Sequence, residues 1–448
     1  MEMKSKAIII SFNTDSEAIC ASAARISTTK GNAIEIYENA KKHQKNQELI
    51  RKVLQSGHKS FIEHAVFTIA FLNVSAYVEQ FFIECRLASF TIKSRRYVDF
   101  SELGYYVPCD LGKDDLSHYC QYMDMLFDAY HTILGQGIPK EDARFLLPYS
   151  FHSNFYCTLN ARELVHVINA IISGRGREIP ELQNLADQIA KQLESLFPGI
   201  LYEFDKTTFP LHTTENKINI NKMHDQISFI TCQDIGITRL INSPSHPFEV
   251  LDAAHSVNHP TSKRNLQLEK LLESERPREL EQLSYTFLIS NITLSGITHI
   301  VRHRMQSIII PPIKSVNSKR YIVPATIMNV PEMLSYYKNI LTAANDMIAK
   351  RSNSMLINKY YYYYALSANV MDIMTTINAR ELLLFISLRS CNRAQWEIRD
   401  ISINMLGQLR GHFPELFNKY GPSCFIYGQC PEGRMTCGKM SEVISQFE

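Results

Sequence analysis

No apolar run in this sequence is long enough to cross a membrane. The longest weakly charged stretch, residues 65–78, still contains Thr68, Asn73 and Ser75, whereas a spanning helix needs about 20 consecutive apolar residues. The apolar run at 7–10 is also too short for the core of a signal peptide. We therefore expect a soluble, cytoplasmic protein with no membrane partner.

The sequence also lacks an excess of charge and several common functional motifs. Lys and Arg total 47 against 45 for Asp and Glu, a formal net charge of +2, which argues against a protein that coats nucleic acid. There is no P-loop, no Gly-x-Gly-x-x-Gly and no Gly-x-Ser-x-Gly sequence. Glycine and proline, 17 each, are too few for a fibrous chain, and ten cysteines in 448 residues do not indicate a disulfide framework.

What the sequence does contain is an internal repeat. Residues 158–164, TLNAREL, recur as TINAREL at 376–382, and positions 158 and 376 differ by 218. Residues 94–97, SRRY, match SKRY at 318–321 after an insertion in the second copy that includes IIIPP at 308–312. We predict two copies, 1–210 and 225–448, joined by a polar connector within 204–217. Two equivalent halves in one chain suggest a fused pseudo-symmetric dimer.

Hydrophobic periodicity predicts a mixed α+β fold with helices packed on a sheet. Alternation and β-formers favour strands at 64–73 and 283–293. Apolar residues at helical spacing favour helices in both copies. The predicted helices are 74–84, 114–134, 161–172, 182–196, 296–303, 379–386 and 396–409.

Two arginine-rich sequences are candidates for phosphate binding. Arg302, His303 and Arg304 follow the apolar segment 297–301, and Ser94 precedes Arg95 and Arg96. Arginine offers a bidentate fork that suits phosphate. Capping of a helix end by basic side chains and a solvated basic turn are the open alternatives. Arg389 lies near the single tryptophan, where it either acts in a site or pairs with Glu397.

Other residues allow weaker interpretations. His64 is most simply a structural histidine. Cys424, Cys430 and Cys437 either hold a metal with a fourth ligand such as His412 or remain free thiols, because their spacing does not match the usual close ligand pair. The tyrosines at 360–364 are more typical of a packed aromatic helix than of a base-stacking platform.

Taken together, these motifs resemble the flavin-dependent thymidylate synthases. That family carries Arg-His-Arg followed by Ser and Arg-Tyr, with an earlier Gly-His and Glu-His and a later Asn-Ala-Arg and Ala-Gln-Trp. The first copy contains Gly57-His58, Glu63-His64, the SRRY sequence, Ala143-Arg144 and Asn160-Ala161-Arg162. The second copy contains Arg302-His303-Arg304, the SKRY sequence, Asn378-Ala379-Arg380 and Arg389 with Ala394-Gln395-Trp396.

The resemblance implies a flavoenzyme that makes thymidylate from dUMP. FAD would be the cofactor, NADPH and methylene-tetrahydrofolate the co-substrates, and two chains would form a homodimer equivalent to the family's tetramer. Arg389 would be catalytic, and no metal ligand is implied. The implied pyrimidine nucleotide ligands are Ser94, Arg95, Arg96, Arg144, His299, Arg302 and Arg389. The implied FAD ligands are His58, Ser60, Asn160, Arg162, His166, Arg302, His303 and Arg304.

Each copy departs from the family pattern, and the departures are complementary. The first copy has Glu84 and Cys85 at the first two positions of Arg-His-Arg, and Ile171 at the position of Arg389. The second has Tyr362 at the position of Arg144, and residues 276–278 (RPR) in place of 58–60 (HKS). The resemblance therefore implies one complete composite site per chain, built from both copies.

Two further departures leave other functions open. The family's acidic residue two positions before the motif serine is replaced by Ile92 in the first copy and Val316 in the second, and a family glutamine has become His299. A related enzyme acting on another pyrimidine nucleotide, or adding a different one-carbon group, is one alternative. A non-catalytic homologue that retains only the fold is the other.

Overall fold

The computed structural model describes residues 4–204, 226–260, 266–351 and 354–448. The predicted connector lies outside these ranges apart from Phe204, as do the predicted inner boundaries at 210 and 225. In the described ranges, no helix is both long and apolar enough to span a membrane.

The chain divides into two compact units, and each takes a short segment from the other half of the sequence. Unit 1 comprises Met1–His131, Leu147–Lys217 and Asn353–Tyr364, and unit 2 comprises Thr132–Leu146, Ile218–Ser352 and Ala365–Glu448. Arg144, from the first half, therefore folds with unit 2, and the tyrosines at 360–364 fold with unit 1. This exchange decides which functional residues share a unit.

Each unit is built on a four-stranded antiparallel sheet with the same strand order. The strands of the described ranges are β1 (Lys6–Phe12), β2 (Val66–Ser75), β3 (Ser89–Ile92), β4 (His152–Asn160), β5 (Ser228–Ile230), β6 (Ile237–Asn242), β7 (Ser284–Thr293), β8 (Gln306–Ile309), β9 (Arg320–Ile322) and β10 (Val370–Asn378). The order is β1-β2-β4-β3 in unit 1 and β6-β7-β10-β8 in unit 2, while β5 and β9 form a separate parallel pair.

The two sheets repeat each other in detail. Across β2 and β4, the hydroxyls of Thr68 and Thr158 are hydrogen-bonded at 3.0 Å, and across β7 and β10 those of Thr286 and Thr376 are bonded at 2.9 Å. The offset of 218 positions also relates the ion pair Arg162–Glu63 to Arg380–Glu281. It likewise relates Asn73 to Asn291, both of which have a positive φ angle. The internal repeat predicted from the sequence is therefore confirmed.

Helices cover the sheets and form most of the remaining structure. The α-helices of the described ranges are α1 (Ser16–Arg25), α2 (Ala33–Lys42), α3 (Asn46–Gln55), α4 (Ala76–Ile83), α5 (Lys113–Gly135), α6 (Lys140–Ala143), α7 (Ala161–Ile172), α8 (Pro180–Leu196), α9 (Pro247–Asn258), α10 (Leu268–Glu273), α11 (Leu294–Ile300), α12 (Ala325–Met328), α13 (Pro331–Lys350), α14 (Met355–Tyr364), α15 (Ala379–Arg389), α16 (Trp396–His412), α17 (Pro414–Phe417), α18 (Ser423–Tyr427) and α19 (Met440–Phe447). The predicted helices correspond to α4, α5, α7, α8, α11, α15 and α16, and the predicted strands to β2 and β7. The mixed α and β class is confirmed.

The tyrosine run belongs to the core of unit 1. All five rings of 360–364 are at most 2% exposed, and the hydroxyl of Tyr363 donates to Oε2 of buried Glu181 at 2.8 Å. Tyr122 donates to the carbonyl of Tyr364 at 2.9 Å. The interpretation of this run as a packed aromatic helix is confirmed.

Candidate active site

The Arg-His-Arg sequence lies directly after α11 in unit 2. The hydroxyl of Thr293 caps the start of this short helix by accepting from the Gly296 amide at 2.8 Å. At its end, the Gln306 side chain donates to the carbonyls of Ile300 at 2.7 Å and His303 at 2.6 Å. The end of a helix leaves carbonyl groups without backbone donors, and here the neutral amide of Gln306 supplies hydrogen bonds to two of them. Beyond them, Arg302 and Arg304 are exposed.

His303, between these two arginines, is buried and held from both sides. Its Nδ1 lies 3.0 Å from Oε1 of Glu381, and Nε of Arg389 donates to its Nε2 at 2.9 Å. Because Nε2 accepts, the ring is neutral and carries its proton on Nδ1, which donates to Glu381. Burial lowers the pKa of His303, the hydrogen bond to Glu381 opposes this, and the Arg389 charge lowers the pKa further.

Local structure explains why these three side chains meet. Asn378 ends β10 and caps α15 by accepting from the Glu381 amide at 2.9 Å. The cap places Glu381 in the first turn of α15, and Arg389 is the last residue of the same helix. Phe385 packs edge-on against the His303 ring at 4.8 Å between centroids. One helix therefore provides both hydrogen-bond partners of His303 and an apolar wall.

Unit 1 carries a different arrangement at the equivalent positions. Cys85 and Ile171 stand where unit 2 has His303 and Arg389, and burial raises the pKa of Glu163, the counterpart of Glu381. A cavity of about 620 Å³ lies beside Glu163. It is lined by the predicted cofactor residues Asn160, Arg162 and His166, together with others that include Glu63, Glu84, Arg86 and Arg175. Arg162 pairs with Glu63 and Arg175 with Glu84.

Arg144 is buried in unit 2, at 2% exposure. Its Nε donates to the carbonyl of Glu141 at 2.9 Å, and its charge helps to offset the raised pKa that burial gives Glu397. Glu397 in turn accepts from the amide of Thr293 at 2.7 Å and from its hydroxyl at 2.6 Å. Arg144 therefore lies in the electrostatic surroundings of the carboxylate that holds the start of α11.

The segment that carries Arg144 is tied to unit 2 by Asp142. The indole Nε1 of Trp396 donates to Oδ1 of Asp142 at 2.8 Å, and Thr326 donates to Oδ2 at 2.6 Å. Burial raises the pKa of Asp142 despite these bonds. The Ala-Gln-Trp sequence thus has a structural use here, because its tryptophan anchors a segment from the other half of the sequence.

The remaining predicted site residues have varied surroundings. Arg95 forms a buried ion pair with Glu79 and lies over the Phe151 ring at 5.1 Å, so its charge is already compensated. Arg96 is half-buried, and its amide donates to the Ser94 hydroxyl at 3.3 Å. His299 is buried in α11, whereas His58 and Ser60 are exposed in unit 1. Ser60 lines a separate cavity of about 430 Å³.

The C-terminal cysteines come together with a fourth. Cys391, Cys424, Cys430 and Cys437 line one narrow cavity of unit 2. Burial raises the pKa of both Cys391 and Cys424, and neighbouring thiols add to the effect. No three of these sulfurs lie within 4.8 Å of one another in the described chain. His412, considered as a fourth ligand, instead contacts the carbonyl of Pro244 at 3.0 Å.

Sequence reasoning missed Glu381 and Asp142. Glu381 lies inside the repeated Asn-Ala-Arg-Glu-Leu sequence, and its recurrence as Glu163 was the available signal. Asp142 has no comparable signal, because its partner Trp396 is 254 positions away.

Comparison with known proteins identifies the family of this chain. The family described as thymidylate synthase complementing protein matches residues 8–199 and 239–415. The flavin-dependent thymidylate synthase of Geobacter sulfurreducens is 33% identical over 190 residues, which cover 40% of this chain and 79% of that protein. The enzyme of the same name from Clostridium tetani is 32% identical over 200 residues, covering 40% of this chain and 80% of that one.

Among solved structures, a UMP/dUMP methylase PolB from Streptomyces cacaoi bound with 5-Br dUMP is 24% identical, with a TM-score of 0.40. The match covers 47% of this chain and 100% of that chain. The family match spans more than half of the sequence in two successive segments. The chain is therefore an enzyme of the thymidylate synthase complementing protein family, the flavin-dependent thymidylate synthases, with two family segments in tandem.

Proposed function

We propose that the chain converts dUMP into dTMP, with FAD as cofactor, methylene-tetrahydrofolate as carbon donor and NADPH as reductant. The reaction joins the methylene carbon to C5 of the pyrimidine and breaks the C5–H bond, which loses a proton, and the two bonds from that carbon to the folate nitrogens. Two electrons and a proton from NADPH complete the methyl group, and tetrahydrofolate and NADP⁺ are released. We further propose that the site combines residues from both halves of the sequence, with one such site per chain and two chains in a homodimer.

The observation that carries this proposal is the Glu381–His303–Arg389 arrangement. A neutral imidazole held by Glu381 accepts from Nε of Arg389 and so fixes the direction of the guanidinium. A fixed cation stabilises negative charge that develops on the pyrimidine ring as it reacts, and pre-oriented charge of this kind is often the largest single contribution to catalysis. Both ring nitrogens of His303 are engaged, so we assign it a positioning role and no proton transfer.

The residues present fit a cofactor with phosphate groups. In unit 2, the exposed guanidiniums of Arg302 and Arg304 can bind a diphosphate or a nucleotide phosphate. In unit 1, Asn160, Arg162 and His166 offer amide, guanidinium and imidazole donors at one cavity, where Arg162 also pairs with Glu63. Bound reduced flavin would supply the electrons that turn a methylene group into a methyl group.

Arg144 supports the composite nature of the site. It comes from the first half of the sequence, yet it folds into the same unit as Arg302, His303 and Arg389. Ser94 and Arg96 remain predicted phosphate ligands. Arg95 is the weakest member of the predicted set, because its ion pair with Glu79 already compensates its charge.

A second candidate is the same chemistry on another pyrimidine nucleotide. This candidate is suggested by Ile92 and Val316, the apolar residues that replace the family's acidic residue in the two copies. Val316 is buried in unit 2. Loss of a carboxylate removes a polar contact that helps to select a substrate.

The direct test is product analysis with the purified full chain. We expect a yellow protein whose flavin absorbance bleaches with NADPH, and which forms dTMP from dUMP and methylene-tetrahydrofolate. UMP and dCMP in parallel reactions separate the two candidates. A chain that takes up no FAD contradicts both, whereas methylation of UMP alone favours the second. Rescue of a thymidine-requiring host tests the same activity in cells.

A further inference from the structure

Two histidines and a buried glutamate converge in unit 2, away from the site described above. His255 belongs to the last turn of α9, His259 follows it by four positions, and Glu279 lies in the 3-10 helix Arg278–Gln282 just before β7. Nδ1 of His255 and Nε2 of His259 lie 3.7 and 3.8 Å from Oε1 of Glu279. Among the described residues, these three alone bring three potential metal-ligand atoms within 4.8 Å of one another.

These separations are too long for hydrogen bonds but suit ligands of a common ion. Histidines at i and i+4 lie on one face of a helix, and here their ring centroids are 4.5 Å apart. Nδ1 of His255 is buried and has no hydrogen-bond partner in the described chain. A buried polar atom in this state costs free energy, and a metal ion would remove that cost.

Glu279 is oriented by a second side chain. It is only 3% exposed, and Asn258 donates to its Oε1 at 2.9 Å. Hydrogen bonds from outer residues commonly orient the ligands of a metal site. His259 is exposed, so one side of the cluster faces solvent and leaves access for an ion and a water molecule.

The repeat provides an internal contrast. Glu279 occupies the position of Phe61 at the offset of 218. The helix that follows the first strand of the four-stranded sheet is α1 in unit 1 and α9 in unit 2, and α1 contains no histidine. The three ligands are therefore particular to the second copy. That copy also carries Arg276-Pro277-Arg278 where the first has the predicted cofactor residues His58 and Ser60.

The geometry points to a binding site for a divalent transition metal ion, with Zn²⁺ as the ion that best fits two imidazoles and one carboxylate. Such ligands bind Zn²⁺ at about 2.0–2.2 Å and leave an open position for water. The ion would join α9 to the residues immediately before β7. The site is independent of the proposed dUMP methylation.

The test is metal binding by the full chain, with Zn²⁺ and Co²⁺ as probes. Because the four clustered cysteines could also bind these ions, the parent for all variants carries Cys430→Ser and Cys437→Ser. We expect one Zn²⁺ per chain by competition with a chromogenic chelator. Co²⁺ should give weak d–d bands with no thiolate charge-transfer absorption.

Variants decide between this site and any other. His255→Ala and Glu279→Gln should each weaken Zn²⁺ binding on the order of 100-fold, given that even outer-residue changes cost about 10–100-fold. His246→Ala is the matched control, because His246 lies just before α9, is exposed and pairs only loosely with Glu249 at 3.9 Å. It should bind as the parent does.

Two results would overturn the proposal: a parent that binds no stoichiometric Zn²⁺, or unchanged binding in both ligand variants. If His255→Ala does not fold, Glu279→Gln decides alone. Its side chain keeps the shape of glutamate and an oxygen for Asn258. At the same Zn²⁺ concentration, the melting temperature of the parent should rise more than that of Glu279→Gln.

Discussion

Arg389 donates its Nε hydrogen to Nε2 of His303 across 2.9 Å, although the two residues are 86 positions apart. The bond requires a neutral histidine, and Glu381 secures the required tautomer from the other side of the ring. The orientation of the candidate catalytic cation therefore depends on the protonation of one buried imidazole.

Replacing Arg389 should remove turnover while FAD stays bound. In Arg389→Ala we expect kcat to fall on the order of 100-fold or more, because pre-oriented charge at the reacting ring is lost. Steady-state kinetics measure the fall in kcat, and the flavin spectrum shows whether FAD stays bound. Arg239→Ala, which removes an exposed guanidinium on β6, is the control and should keep normal rates. Near-normal turnover in Arg389→Ala would disprove the role.

Stability should fall in mild acid because of His303. Burial and the charge of Arg389 lower the pKa of His303 below 6.5, although the hydrogen bond to Glu381 opposes this shift. The unfolded chain then takes up a proton at a higher pH than the folded chain. The contribution to stability is full above pH 6.5 and is lost as the pH falls through 6.5 toward the lowered folded pKa.

This pH dependence is measured by urea unfolding between about pH 8 and pH 5.5, the range in which a histidine titrates. The His303→Gln variant cannot titrate, so its free energy of unfolding should fall less over that range. Equal slopes for the two proteins would mean that other groups cause the acid sensitivity. Activity of the folded enzyme should decline only at lower pH, as the pH falls through the lowered pKa of His303, because a protonated ring cannot accept from Arg389.

Residues from opposite halves of the sequence should act on the same site. We expect Arg144→Ala and Arg389→Ala each to remove activity and their double variant to be no worse, since either change disables the unit. Tyr362→Phe, at the position that corresponds to Arg144 in the second copy, should retain activity. Calorimetry should give one nucleotide per chain, and a stoichiometry of two would exclude the composite site.

The bond between Trp396 and Asp142 should contribute to the stability of unit 2. Asp142→Ala leaves the indole N–H without its acceptor and should cost about 1–3 kcal/mol. Asp142→Asn keeps an oxygen acceptor and should cost less. Trp396 is the only tryptophan, so its fluorescence follows this contact directly during denaturant unfolding. Equal losses in the two variants would argue that charge, and not the hydrogen bond, stabilises the segment.

The sequence alone was sufficient to predict the internal repeat, the mixed α and β class and the family. Periodicity is a local property, so α7 and α15 could be predicted from their own residues. Repeated residues such as Asn160 and Asn378 mark helix starts in both copies, because a side-chain cap needs only the residues that follow it. The strands β4 and β10 were missed, although alternate residues are buried along most of both. In β10 the buried Thr375 and the less buried Met374 obscure this alternation in the sequence.

Tertiary structure decided which side chains meet. His303 lies 78 positions from Glu381 and 86 from Arg389, and their contact depends on how α15 lies against the residues after α11. The exchange of 132–146 into unit 2 places Arg144 with the second copy, a pairing that no local pattern encodes. The same is true of His255, His259 and Glu279, since spacing along a helix predicts two ligands but not the buried carboxylate that faces them.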